Sequence, residues 1–145
     1  MNKIREINRV LICKELGIRY DLIHGDVYDG GIHFIPLKDP DILIKFSRLG
    51  IRKVDGNFWC DRNKLTSLEG CPDEVGGSFN CGSNNLTSLK GCPEEVGGGF
   101  WCDYNDLTSL KGCPEEVGGT IFCYNNELIL ERPKHCKIEG DFINE

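Results

Sequence analysis

The chain has 145 residues, of which 39% are hydrophobic, a composition that suits one small globular or solenoid domain. Its formal net charge of −6 disfavours a nucleic-acid partner, because binding to a phosphate backbone needs a basic stripe. No run approaches the ~18 consecutive apolar residues of a membrane helix. The first residues carry scattered charges and lack the apolar core of a secretory signal, so we expect a cytoplasmic protein with no membrane partner.

The N-terminal segment, 1–50, predicts a cap made of a helix, a short hairpin and a second helix. Apolar residues at helical spacing predict the first helix over roughly 3–16. Two apolar runs, 20–23 and 32–35, flank glycine-containing turns and predict the hairpin. An Asp-Pro pair predicts the start of the second helix, about 40–49. Because the end of a solenoid exposes apolar surface, covering that end is the expected role of this segment, and a separate functional head is the alternative.

The remaining segment, 51–145, contains about four to five copies of a unit whose period is 21 residues. Cysteine, asparagine and leucine recur at this spacing: Cys60, Cys81, Cys102 and Cys123; Asn63, Asn84, Asn105 and Asn126; Leu65, Leu86, Leu107 and Leu128. Phe79 and Cys81 alternate with small or polar residues, which predicts a strand with both side chains inward. Asn84 is expected to turn the chain and to bond the backbone of neighbouring turns. A period of this length indicates a solenoid whose turns bury one another's apolar sides.

The order Phe-x-Cys-x-x-Asn-x-Leu-x-x-Leu resembles the short leucine-rich repeats of bacterial and phage proteins, over about residues 54–130. The resemblance implies an α/β solenoid with a short parallel sheet on its concave face and irregular or 3₁₀ segments on its convex side. The chain departs from the family pattern at Gly76, where a leucine is expected, and the apolar residue Val75 comes one position earlier. The Gly-Gly pairs are expected to let the chain bend into the strand.

The last repeat is degenerate, but Ile138 and Phe142 return in phase and predict a fifth strand at about 140–144. Little chain follows it, so we expect an exposed parallel edge that can pair with another chain. A homodimer through this C-terminal edge strand is one hypothesis.

Seven of the nine cysteines fall into two ladders, the Cys60 series and a second series at Cys71, Cys92 and Cys113. A metal site needs convergent ligands, usually in CxxC pairs, and the sequence contains no such pair. We therefore expect small buried side chains in a reducing compartment, with no metal and no cofactor.

An acidic pair follows the proline of each repeat and is predicted to begin a short helical turn on the convex side, where the helix dipole favours acids. The pairs are Asp73-Glu74, Glu94-Glu95 and Glu115-Glu116. The alternative is that the acidic pairs together form an acidic, partner-mimicking surface. The chain lacks GxSxG, HExxH and a P-loop, and its repeat cysteines are expected to point inward, so we expect no enzymatic activity.

The residue between Phe and Cys in each strand is expected to face the concave surface, because side chains alternate along a strand. These residues are Trp59, Asn80, Trp101 and Phe122, with Ile143 in the fifth strand. Contiguous aromatic residues with polar neighbours mark interaction surfaces, and Trp and Tyr are frequent hot-spot residues. The predicted binding residues are Trp59, Asp61, Asn80, Trp101, Asp103, Tyr104, Phe122 and Tyr124. The alternative is that the cap covers these side chains or that they merely support one another.

The sequence thus predicts a non-enzymatic protein-binding module that uses an aromatic-rich concave face. The resemblance to phage repeats extends this to a phage-encoded inhibitor of a host defence protein, acting in the host cytoplasm. A carbohydrate-binding module and a self-associating structural protein are the alternatives from other classes.

Overall fold

The computed structural model describes residues 3–35, 39–127 and 130–145. Its helices are α1 (Lys3–Leu16), a 3₁₀ turn (Tyr20–Leu22) and α2 (Ile42–Ser47). Its strands are two residues long: β1 (Ile23–His24), β2 (Val27–Tyr28), β3 (Ile32–His33), β4 (Lys53–Val54), β5 (Phe58–Trp59), β6 (Glu74–Val75), β7 (Phe79–Asn80), β8 (Glu95–Val96), β9 (Phe100–Trp101), β10 (Glu116–Val117), β11 (Ile121–Phe122), β12 (Lys137–Ile138) and β13 (Phe142–Ile143).

Two columns of strands run along the solenoid, and each turn contributes one strand to each column. The first sheet has the order β1-β2-β4-β6-β8-β10-β12, and the second sheet has the order β3-β5-β7-β9-β11-β13. Apart from the β1–β2 pair, neighbouring strands are parallel, as Phe58 opposite Phe79 and Phe79 opposite Phe100 illustrate. The solenoid with stacked parallel strands and an N-terminal cap is therefore confirmed. The first sheet is an addition that the sequence analysis did not predict.

The core is a column of identical layers, as the repeat predicts. Phe58, Phe79 and Phe100 are fully buried and stack with nearly parallel rings, whose centroids are 5.8 and 5.6 Å apart. Each buried phenylalanine contributes about 1.5–3 kcal/mol through the removal of apolar surface from water. The cysteines of the Cys60 series and three of the repeat leucines, Leu65, Leu86 and Leu107, are buried as well, whereas Leu128 lies outside the described residues.

The buried asparagines join each turn to the previous one. Asn84 Oδ1 accepts hydrogen bonds from the backbone N–H groups of Asn63 and Leu65, both at 3.0 Å. Its Nδ2 donates to the carbonyl oxygens of Cys60 and Cys81, at 3.2 and 2.9 Å. These backbone groups lie beyond the ends of the short strands, where a sheet cannot supply their partners. The predicted role of this residue is confirmed.

The Gly-Gly pairs are required because adjacent turns touch there. A Cβ atom at Gly97 would collide with the carbonyl oxygen of Gly76, and one at Gly118 would collide with that of Gly97. The backbones of successive turns therefore approach more closely than any side chain allows.

The N-terminal segment contains both predicted helices, since α1 matches 3–16 and α2 lies within 40–49. The predicted pairing of 20–23 with 32–35 is wrong. Strand β1 pairs with β2 in an antiparallel hairpin, and β3 instead joins the second sheet, parallel to β5.

The reason is that a longer turn of the solenoid begins inside this segment. Val27 lies opposite Lys53 and Ile32 opposite Phe58, so both offsets are 26 residues (53 − 27 and 58 − 32). The longer turn includes α2, whose buried Leu43 and Phe46 extend the core. The sheets therefore continue into the predicted cap, on the N-terminal side of residue 50.

Strand β13 lies within the predicted 140–144 and pairs with β11, which confirms the fifth strand. Among the described residues, β12 and β13 end the two sheets and have no further strand beside them. A homodimer through this edge stays a prediction.

The acidic pairs do not begin helical turns, which corrects that prediction. Glu74, Glu95 and Glu116 lie in strands of the first sheet and face one another in register. Like charges directly opposite one another are destabilising. Lys53 and Lys137 stand at the two ends of this row and pair with Glu74 at 3.2 Å and with Glu116 at 2.8 Å. The lysines offset part of the repulsion and help to keep these residues in strands.

Replacing Asn84 by alanine leaves two buried N–H groups without their acceptor and deprives three buried carbonyl groups, those of Cys60, Cys81 and Gly82, of one donor. We expect the Asn84→Ala variant to lose roughly 2–4 kcal/mol of unfolding free energy in a urea titration. The control is Asn85→Ala, because Asn85 is exposed and the substitution is the same. Equal midpoints for both variants would show that the amide does not hold the turns together.

Candidate functional site

The outward side chains of the second sheet form one continuous row, which we call the aromatic row. From the N-terminal end it consists of His33, Trp59, Asn80, Trp101, Phe122 and Ile143. The row contains both tryptophans of the chain. The structure thus brings together the five predicted members of this row, Ile143 included. It adds His33, which the sequence analysis missed because it assigned residues 32–35 to a hairpin.

Two aromatic pairs flank Asn80 in this row. His33 packs edge-on against Trp59 with ring centroids 4.8 Å apart. Trp101 stacks on Phe122 at 4.9 Å, with only 7° between the ring planes. Such contacts contribute about 0.5–1.5 kcal/mol beyond burial, so the rings hold one another in place. Asn80 is smaller than its neighbours and separates the two pairs.

The position of Trp101 also depends on Gly99, the residue that immediately precedes its strand. A Cβ atom at Gly99 would lie 2.7 and 2.8 Å from two carbon atoms of the indole ring. The equivalent positions in the other repeats hold Asn57, Ser78 and Thr120. Gly99 therefore gives Trp101 its position, and the sequence signal for this was the Gly-Gly-Gly run that occurs only in that repeat.

A second row follows where the strands end, and it contains Asp61, Gly82, Asp103 and Tyr124. The Asp61 side chain is only 14% exposed, and its Oδ1 atom is buried without a hydrogen-bond partner. Two basic side chains of the chain lie within ion-pair distance: His33 Nε2 is 4.0 Å from Oδ1, and Arg62 Nε is 3.8 Å from Oδ2. Asp61 is therefore poorly compensated for its loss of water.

Asp103 is less well compensated still. Partial burial raises the pKa of its carboxyl group, and the negative charge of Asp61 raises it further. In the part of the chain that the structure describes, no cationic side chain forms an ion pair with Asp103. Its charge in turn raises the pKa of the Tyr124 hydroxyl.

The strand ends complete the site with two tyrosines. Tyr104 has a left-handed backbone with φ of 52°, a conformation that Arg62, Ser83 and Asn125 share in their own turns. Its side chain is 54% exposed and packs edge-on against Tyr124, with ring centroids 5.7 Å apart. Four of the eight predicted binding residues, Trp59, Asn80, Trp101 and Phe122, thus lie in strands of the second sheet, and the other four follow at or just beyond the ends of these strands. Binding by them stays a prediction.

Burial makes several of the cysteine thiols weaker acids than usual. Burial raises the pKa of the Cys81 and Cys102 thiols well above the usual range. Cys113 Sγ lies 3.4 Å from His135 Nε2, but burial and the neighbouring Cys136 raise its pKa to about 12, which keeps this thiol protonated. Among the described residues, no three His, Cys, Asp or Glu side chains converge as metal ligands.

Comparisons of the chain with protein-family models, with curated proteins and with solved structures found no match. The resemblance to leucine-rich repeats therefore stays an expectation from the sequence. Within the described residues, no helix is long and apolar enough to cross a membrane.

The raised pKa of Asp103 gives a prediction for stability against pH. The folded chain holds this proton to a higher pH than the unfolded chain does, so the native protein loses stability as pH rises through the folded pKa. Asp103→Asn removes that loss. We expect the variant to be more stable at about pH 7 by less than about 1 kcal/mol, because solvent screens a half-exposed group.

Thermal unfolding at about pH 3 and pH 7 measures this difference, which should nearly vanish at the lower pH. Glu115→Gln is the control, since Glu115 is exposed and loses the same charge. A destabilised Asp103→Asn variant at pH 7 would show that a cation already compensates this carboxylate.

Proposed function

We propose that this chain is a non-enzymatic protein-binding module and that its partner docks on the outer face of the second sheet. The observation that carries the proposal is the aromatic row, in which both tryptophans lie beside half-buried carboxylates on a regular scaffold. The fold itself does not require aromatic residues in this row, because Asn80 occupies the same place in one turn. The aromatic side chains are therefore best explained by what they contact outside the chain.

The geometry supports a compact epitope. Six strands at about 4.8 Å give a face roughly 24 Å wide, which suits one helix or loop of a partner. The paired rings are already held in position, so little side-chain entropy is lost on binding. Apolar rings with polar atoms close by match the composition of binding hot spots.

We assign no reaction to the chain. The raised pKa values of the buried Cys81, Cys102 and Cys113 thiols support this part of the proposal, because they keep these thiols neutral. We extend it to a phage-encoded inhibitor of a host protein on the basis of the repeat resemblance alone. Carbohydrate binding, the main alternative, would use the tryptophan faces. Trp101 already has one face against Phe122, which leaves less of that ring for a sugar.

The test is a direct affinity measurement with the Trp59→Ala/Trp101→Ala double variant. A protein captured from bacterial lysate by the native chain is identified, purified and titrated by calorimetry. We expect the double variant to bind at least about 100-fold more weakly, since loss of a hot-spot residue costs about 2 kcal/mol or more.

The matched control is Leu11→Ala/Ile44→Ala, which removes two exposed apolar side chains away from the second sheet. It should bind as the native chain does. Unchanged affinity of a folded Trp59→Ala/Trp101→Ala variant would eliminate this face as the site, and retention on a glycan array without any protein partner would favour the carbohydrate alternative.

A further inference from the structure

We infer that helix α1 binds the surface of an anionic lipid bilayer, with its outward apolar side chains in the interface and the neighbouring arginine and lysine side chains at the phosphate headgroups. This goes beyond the proposed function, because α1 is a surface separate from the strands of the second sheet.

The outward side of α1 is apolar. Ile7, Val10 and Leu11 are 58%, 44% and 59% exposed, whereas Cys13, on the inner side of the helix, is buried in the core. We call Ile7, Val10 and Leu11 the α1 ridge, since Leu11 lines two separate hollows and therefore stands between them. Exposed apolar side chains that lie next to one another mark an interaction surface.

Basic side chains lie on both sides of the α1 ridge. One hollow is lined by Arg5, Arg9 and Arg48, and the other contains Lys3. Across the part of the chain that the structure describes, none of these four side chains forms an ion pair with a carboxylate. Arg9 Nη2 donates to the carbonyl oxygen of Gly25 at 3.0 Å, which holds the guanidinium in place without neutralising its charge.

The charge of α1 is opposite to that of the whole chain. The helix carries four basic and two acidic side chains, a net charge of +2, so the remaining residues carry −8 (−6 − 2). Of the two acids, Glu15 pairs with Lys45 at 3.0 Å and Glu6 lines the hollow that contains Lys3. Solvent largely screens charges that are more than about 8 Å away, so nearby basic groups dominate the potential at the ridge. A basic amphipathic helix of this kind is typical of membrane-surface segments.

A bilayer fits this ridge better than a second copy of the chain does. In a symmetric dimer through the ridge the same surface meets itself, so the unpaired arginines of the two copies would lie close together and repel. A bilayer instead supplies phosphate groups, which guanidinium groups bind through paired donors, and an apolar layer for Ile7 and Leu11. Tyr20, which lines the same hollow as Lys3, is of the amphipathic type that is enriched at the membrane–water interface.

The absence of an apolar run long enough to span a bilayer is one reason to expect no membrane partner. A helix that lies in the interface needs no such run, because it buries only one side in the lipid. For α1 we therefore replace that expectation.

The test is co-sedimentation of the native chain with vesicles of phosphatidylcholine, either alone or with about 30% phosphatidylserine. We expect binding to the anionic vesicles, and we expect it to weaken when salt is raised from about 0.1 to 0.5 M. The Ile7→Ser/Leu11→Ser and Arg5→Gln/Arg48→Gln variants should each bind at least about tenfold more weakly. All four positions are exposed, so the urea midpoints of both variants should match that of the native chain.

The matched control is Lys111→Gln/Lys134→Gln, which removes two positive charges from exposed positions in the repeats and should bind as the native chain does. The inference is overturned by a lack of binding to anionic vesicles, by equal binding to neutral and anionic vesicles, or by unchanged binding of folded Ile7→Ser/Leu11→Ser. A dimer in light scattering that this variant dissociates, without vesicle binding, would assign the ridge to a second copy instead. Each of these outcomes leaves the proposed function standing, because that function is tested on the second sheet.

Discussion

The buried asparagine amide is the interaction on which the rest of the structure depends. Strands of two residues pair only a few backbone groups. The chain between the strands contains buried N–H and C=O groups that need partners from outside a sheet. Asn84 solves this by accepting from two N–H groups of the previous turn and donating to carbonyl groups of both turns. Asn105 and Asn126 repeat the pattern by accepting from Leu86 and Leu107.

The fixed register between turns places equivalent residues of the repeats side by side on one surface. Because each turn is bonded to the next at the same positions, residues that differ between repeats line up on the second sheet. The inward positions change little, since the Phe, Cys and Leu side chains must fill identical layers. The outward positions are free to vary, and they hold tryptophan, asparagine and aspartate. The proposed binding side chains therefore lie on the scaffold but are not part of its repeated core layers.

Much of this could be predicted from the period alone. Inward Phe79 and Cys81, the bonding of Asn84 and the membership of the aromatic row other than His33 all follow from spacing and alternation. The first sheet could not be predicted, because Glu-Val is too short to show a strand pattern and its glutamates suggested a helix start. The turn that begins at Val27 was hidden by its length of 26 residues and by a helix within it. The burial of the Asp61 and Asp103 side chains depends on the conformations of neighbouring side chains, which the repeat spacing does not determine.

Hydrogen bonds between successive turns hold the solenoid together as one cooperative unit. Hydrogen exchange at the amides of Cys81 and Cys102 tests it most directly, because these N–H groups donate to Trp101 and Phe122 in the next turn, both at 2.9 Å. We predict that both amides exchange only through global unfolding, with an exchange free energy equal to that from urea denaturation. Exchange at the rate of an unstructured peptide would contradict the stacked-turn architecture and, with it, the surface on which binding is proposed.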